Sequence, residues 1–216
     1  MEAGKFVHVP WIIGHNTDEG AGFGAGNINT TQQFLAYLEK NQGLDNATAQ
    51  DMAILYPDIP SIGIPTTIHG RPGPHIGLQF KRGSAVGGDI ATAAPSRLAA
   101  QLWAKNNGTV YKHRFDVLVH GLPWWVGAVH FQEVAFVFYN TEGYGYPQNL
   151  LPNPMGGPER PNYLALSLLM VRQWVSFINF GDPNMHLGVD AETWPAYTLD
   201  GDGPQNFVRA ERHVTP

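Results

Sequence analysis

The sequence predicts either a mainly helical chain or the later part of a larger α/β protein whose other strands precede Met1, and three observations frame that choice. Two segments read as clear strands and a third, at 207–209, as a weak one. Four or five segments carry helical periodicity. Two or three strands are too few to form a sheet covered on both faces, so an α/β reading requires strands from elsewhere.

The elements follow in chain order. Residues 6–13 read as a strand, β-branched and aromatic, with Gly14 and Asn16 as turn residues after it. Gly20, Gly22, Gly24 and Gly26 then predict a loop. Thr30 or Thr31 caps a helix over 32–40, where Phe34, Leu35 and Leu38 share a face. A second short helix fits 46–55 and is stopped by Pro57. Residues 57–74, rich in proline and glycine, form a long irregular surface connection, with a lid-like role as the alternative. From 77 to 106 the pattern is helical with a break near Pro95, and "SRLAAQLWAKNNG" ends in the Asn and Gly of a helix stop. "TVYKHRFDV", 109–117, alternates as a strand and leads into the loop "HGLPWWVGAVH". Residues 131–138 form a short apolar element and 140–161 another Pro/Gly loop. The helix at 162–180 presents one stripe: Leu164, Leu168, Val171, Val175 and Ile178.

Composition narrows the function. A chain of 216 residues with 43% hydrophobic and 12% aromatic residues builds a real core. A net charge of −5 with 13 Lys+Arg and no basic run argues against a nucleic-acid partner, whose phosphates would need neutralising. Zero cysteines exclude disulfides, thiolate catalysis and Cys-based zinc sites. "MEAGKFVHVPW" lacks a signal-peptide pattern, and the most apolar long segment, 163–180, is interrupted by Arg172 and Gln173, so no transmembrane segment is read. Sequons at Asn29, Asn46 and Asn107 are candidate glycosylation sites for a secreted chain.

Two sites draw chemical interest. "VPWIIGHNTDEG" ends a strand in Glu19, and "GAVHFQE" places His130 after an apolar, glycine-containing loop with Glu133 three residues on. A histidine so placed is either a general base or a packed, hydrogen-bonded side chain. His130-x-x-Glu133 fits no metal-ligand spacing, and His69 and His75 read as loop residues without a ligand role. Glu19 and His130 together suggest the acid and base of a triad, the acid fixing the imidazole tautomer while the base deprotonates a serine. No serine here sits in a Gly-x-Ser-x-Gly elbow: Ser61 follows Pro60, Ser84 lies in "RGSAVGG", and Ser96, Ser167 and Ser176 lie in helical patterns. In hydrolases with that elbow the serine precedes the acid in the chain, so it is expected upstream of Glu19.

Several segments together resemble the type-B carboxylesterases, the cholinesterase and fungal lipase family of the α/β-hydrolase fold. "VPWIIGHNTDEGAGFG" is similar to the family's acid-bearing strand and turn, and "WWVGAVHFQEVAFVF" to its histidine segment. "FINFGDPN" followed by "WPAYT" resembles its C-terminal signature, and "GGDIATAAPSRLAAQLWAKNNGTVYKHRFD" the region between, with Asp89 at a structural aspartate. The resemblance implies the C-terminal part of an α/β-hydrolase fold spanning 1–216, a partial sheet with packed helices, whose N-terminal part with oxyanion loop and nucleophile elbow lies outside. It implies Glu19 as triad acid, His130 as base and Glu133 as a buried second glutamate near the histidine. Trp124, Trp125 and Phe131 become pocket candidates, with core packing as their other reading, and Asp182 a turn residue.

The implied activity is hydrolysis of small-molecule or lipid carboxylic esters through an acyl-enzyme, without metal or cofactor, in a secreted glycoprotein. The chain alone, lacking the serine, is expected to be inactive. The absence of cysteine fits a fungal or microbial relative. The alternatives are a non-catalytic cholinesterase-like module for adhesion or partner binding, and an unstable piece with open sheet edges.

Overall fold

Pro10 has no N–H to give to a sheet, and the first strand begins directly after it: β1, Trp11–Asn16. The computed structural model describes residues 2–147, 152–185, 192–200 and 206–208, the last segment as backbone only. Contacts divide the chain into two units, Met1–Asn16, Pro95–Leu122 and Phe131–Pro216 against Thr17–Ala94 and Pro123–His130.

The first unit is built on a parallel sheet of order β1-β2-β3, with β2 at Val110–Phe115 and β3 at Asn206–Val208. Trp11 pairs with Val110 and Asn16 with Phe115, while His113 and Phe115 face Asn206 and Val208. β2 is buried along nearly its whole length, as expected of a parallel strand covered on both faces. The sequence-predicted strand at 6–13 is therefore displaced. Residues 6–10 lie outside the sheet, where Phe6 stacks on Trp103 at 4.3 Å between ring centroids. Gly14 to Asn16 extend the strand instead of turning it. Gly14 suits this place because a Cβ there would lie 2.3 Å from the His113 ring that crosses it. The weak strand expected at 207–209 is β3, though Arg209 lies outside the described residues.

Two helices pack in this unit with a core of Phe115, Val117, Phe136, Met155, Tyr163 and Met170: α6, Glu133–Val137, and α7, Arg160–Phe180. α7 buries a different face from the one its apolar stripe predicts. Leu168, Val175 and Ile178 are 40%, 46% and 76% exposed, whereas Tyr163, Ser167, Met170, Gln173 and Ser176 point inward. Three of the inward polar groups are satisfied by backbone, which removes the cost of burying them. The Tyr163 hydroxyl donates to Leu118 O at 2.6 Å, Ser167 Oγ to Phe136 O at 2.7 Å and Ser176 Oγ to Asp182 O at 2.6 Å. These bonds anchor the inner face of α7, a helix long and apolar enough by length and composition alone to cross a membrane. Gly181 ends it with φ 70°, and Asp182 turns the chain, its carboxylate accepting from Asn184 N at 2.8 Å.

The second unit is helical: α1, Gly20–Phe23; α2, Thr31–Lys40; α3, Asn46–Leu55; and α4, Phe80–Gly88. Thr30 and Gln33 form a reciprocal capping box at α2, and the Asp45 carboxylate accepts from Thr48 N at 2.9 Å to start α3. Phe34, Leu38, Ala49 and Val86 make the core between them. Arg82 is buried over the Phe34 ring, 3.9 Å from its centroid, and donates to Ala53 O at 2.6 Å and to Tyr56 O. The proline-rich run is irregular, as its composition predicts, but anchored: Lys81 Nζ donates to Pro60 O and Ile68 O at 3.0 and 3.1 Å, and Arg71 forks onto Asp58.

Near Pro95 the regular α-helix is interrupted without the chain leaving helical form, and Pro95 lies in the first turn of the helix that follows. α4 runs through a π-helical turn, Asp89–Ala93, into α5, Ala94–Lys105. That wider turn accommodates a proline, which lacks a helical donor and crowds the preceding turn. Asp89, at the head of the π turn, accepts a 2.6 Å bond from the Tyr56 hydroxyl.

Candidate active site

The chain leaves β1 at Asn16, turns through Thr17 and Asp18, and enters α1 with Glu19 as its N-cap. The first part of the predicted glycine loop is a helical turn over Gly20–Phe23, and Gly20 and Gly24 serve close backbone packing. A Cβ on Gly20 would lie 1.7 Å from Ser84 O, one on Gly24 would lie 2.5 Å from Gly83 O, and one on Gly87 would lie 2.5 Å from Gly24 Cα. Small residues four apart on both helices let α1 sit directly on α4, which fixes the residue just before it. Glu19 is buried, its side chain 6% exposed.

Within the same unit, the loop 123–130 returns to this turn. Asp18 N donates to Ala128 O at 2.9 Å, and Ala128 N donates to Asp18 Oδ2 at 2.7 Å. Gly127 has φ 71°, and a Cβ there would lie 2.1 Å from Asp18 Oδ2, so only glycine fits both the backbone and the space.

His130 follows, its Nδ1 2.8 Å from Glu19 Oε2. An ionised carboxylate only accepts, so Nδ1 carries the proton and Nε2 of the neutral ring is left as an acceptor. The imidazole side chain is 54% exposed, and the Phe23 ring stands edge-on to it at 4.7 Å between centroids. A buried acid holding one imidazole nitrogen, with the ring open to solvent, is an arrangement that can take up and return a proton.

The remaining sequence candidates belong partly to the first unit and partly to the second. Glu133 begins α6 in the first unit, where it is half-buried instead of fully buried, and accepts a 2.7 Å bond from Asn16 Nδ2. Phe131 is 55% exposed with φ 75°, a strained backbone for a bulky residue. Trp124 is 61% exposed, and Trp125 is half-buried, edge-on to Phe80 at 5.5 Å. Asn29 donates its amide to Asn27 O and Pro74 O and accepts from Leu78 N, and Asn46 donates to Glu39 Oε1 at 2.8 Å. Asn107 stands exposed in a left-handed turn, φ 58°. Among the described residues no group of three or more His, Asp or Glu side chains could hold a metal ion.

Sequence reasoning missed Asp18, Gly127 and Phe23. The glycines at 20, 24, 83 and 87 were a signal that two helices touch. Nothing local marks the bond from Asp18 to a residue 110 positions away.

Comparison with known proteins places this chain in a lineage. Secreted lipase 4 of Gibberella zeae is 27% identical over 95% of this chain and 33% of its own length. Lipase 2 of Geotrichum candidum is 27% identical over 93% of the chain and 31% of its own length. Acetylcholinesterase of Gallus gallus is 37% identical over 53% of the chain and 13% of its own length. The crystal structure of Aspergillus niger EstA superposes with a TM-score of 0.69 at 21% identity, covering 90% of this chain and 35% of that one, a likeness of fold. The chain thus spans about a third of the length of the fungal lipases it matches. The sequence pattern that defines the carboxylesterase family matches residues 1–215, and the chain belongs to that family, the type-B carboxylesterases and lipases of the α/β-hydrolase fold.

Proposed function

We propose that this chain is the C-terminal portion of a serine carboxylesterase or lipase and supplies the acid and base of its triad, Glu19 and His130. The observation that supports this reading is the 2.8 Å bond from His130 Nδ1 to the buried Glu19 carboxylate, made while the imidazole stays open to solvent. A serine from the preceding part of the fold gives its proton to His130 Nε2 as Oγ attacks the ester carbonyl. His130 then returns that proton to the leaving alcohol, and an acyl-enzyme remains. Water, deprotonated by the same nitrogen, attacks the acyl carbonyl, and His130 passes that proton to the departing serine Oγ as the acid is released. Glu19 fixes the tautomer and stabilises the imidazolium at each stage.

Phe23 and Trp124 are the aromatic candidates for walls of the ester pocket on the imidazole's unit. On this reading the sheet continues beyond β1 in the complete protein, whose substrates are carboxylic esters, small or lipid. Secretion is the expected fate, in line with the secreted lipase among its relatives, and Asn107, exposed in its turn, is a sequon open to a glycan.

A fluorophosphonate probe applied to the native polypeptide that carries this segment tests the reading. Labelling of a serine outside residues 1–216, lost in His130→Ala, is the expected result. A full-length product that takes no label favours a binding or adhesion module, and label on a serine within 1–216 contradicts the assignment.

A further inference from the structure

We infer that Asp18 is a positioning residue for the proposed triad: its carboxylate holds the loop 123–130 at the distance from which His130 reaches Glu19. The inference rests on the Glu19–His130 reading and adds a residue that touches neither substrate nor serine.

Asp18 and Glu19 are adjacent in sequence but serve different groups. Glu19 takes the imidazole, whereas Asp18 takes the backbone that carries it. The Asp18–Ala128 pair exchanges two hydrogen bonds, N–H to O at 2.9 Å and N–H to Oδ2 at 2.7 Å, two residues before His130. Both partners are sealed from water, Asp18 2% and Ala128 1% exposed, so solvent does not compete for either bond. The Glu19–His130 bond differs, because its imidazole is 54% exposed and water competes at that side. The buried ladder is therefore the stronger tether, and the exposed bond forms on a loop already placed.

Gly127 belongs to the same device. Its φ of 71° and the 2.1 Å approach of Asp18 Oδ2 to where a Cβ would stand show that the carboxylate fills the space of a missing side chain. Asparagine keeps an acceptor oxygen for Ala128 N and alanine does not, while both lose the negative charge, so the two substitutions separate an acceptor's role from a charge's. Positioning of this kind matters because an imidazole displaced by about 1 Å from its productive place costs on the order of a hundredfold in rate.

The test uses NMR of the 216-residue chain. The proton shared by His130 Nδ1 and the Glu19 carboxylate gives a far-downfield resonance, which does not depend on a nucleophile being present. Asp18→Ala is expected to abolish that resonance while the dispersed spectrum of the fold persists, and Asp18→Asn to restore it. A resonance unchanged in Asp18→Ala overturns the inference. If Asp18→Ala does not fold, amide exchange in the unmodified chain decides: slow exchange at Ala128 is required, and exchange at the rate of an open loop overturns it. Glu19→Gln keeps the two readings apart. Loss of the resonance with Ala128 still protected supports both. A resonance that survives Glu19→Gln refutes the acid–base pair, and with it the positioning role.

Discussion

Placing a single methyl group on Gly20 should do far more damage than placing one on Gly22, two residues along the same helical turn. The Cβ of Gly20→Ala would lie 1.7 Å from Ser84 O and 2.5 Å from Gly88 N, both backbone atoms of α4. Ordinary carbon–oxygen contact lies near 3.3 Å, so the helices must part by roughly 1.6 Å or the turn must unwind. Backbone cannot rotate away as a side-chain tip can, which puts the cost at or above the upper end of overpacking, about 3 kcal/mol. At roughly 2–4 °C per kcal/mol for a chain of this size, the melting temperature falls by about 6–12 °C. At Gly22 the new Cβ meets only Val129 Cγ2, at 3.4 Å, an ordinary contact. Helix propensity there favours alanine by up to about 1 kcal/mol, so Gly22→Ala is neutral or slightly stabilising. Paired urea and thermal unfolding followed by circular dichroism measures both. Equal costs for the two variants would refute the view that α1 is held on α4 by glycine contact, and with it the account of how Glu19 is fixed.

Three further expectations follow from other parts of the molecule. Burial lowers the His113 pKa from 6.5 to about 4, so the unfolded chain binds its proton first as pH falls, and stability present above pH 6.5 is lost on the way down to about 4. The loss attributable to this ring is about 3 kcal/mol at most, and His113→Phe, which keeps a ring across Gly14, should lose correspondingly less in a pH series of urea melts. On α7, Ile178→Glu should change unfolding free energy by no more than about 0.5 kcal/mol, while Met170→Ala costs about 2–5 kcal/mol; the reverse order would restore the sequence-predicted face. Expressed through a eukaryotic secretory pathway, the chain should carry glycan at Asn107 and little at Asn29, read by peptide mapping after enzymatic deglycosylation. Full occupancy at Asn29 in a folded product would contradict the bonding seen for its amide.

Local chemistry made much of the fold readable. A threonine cap at 30 or 31, the stop at Pro57, and the alternation of 109–117 each follow from a few adjacent residues, and the structure has α2, α3 and β2 there. What failed depended on distant partners. The stripe on α7 is apolar, yet Ser167 and Ser176 turn inward because backbone carbonyls wait for their hydroxyls. The polar end of β1 read as a turn, since the His113 ring that crosses Gly14 arrives from a strand about a hundred residues later. At the site, Glu19 and His130 stood out as an acid and a base in suggestive surroundings. Asp18 did not, because a carboxylate beside a turn normally faces water, and only the returning loop gives it a buried partner.

The central claim is that this chain offers an acid and a base to a serine it does not itself contain. Hydrolysis of p-nitrophenyl butyrate by the purified 216-residue chain, alongside His130→Ala, tests it most directly. The account predicts no saturable turnover by either protein above the rate seen with an unrelated folded protein. Saturable turnover by the chain that disappears in His130→Ala would mean that a serine within these residues completes the site, and the division of the triad proposed here would be wrong.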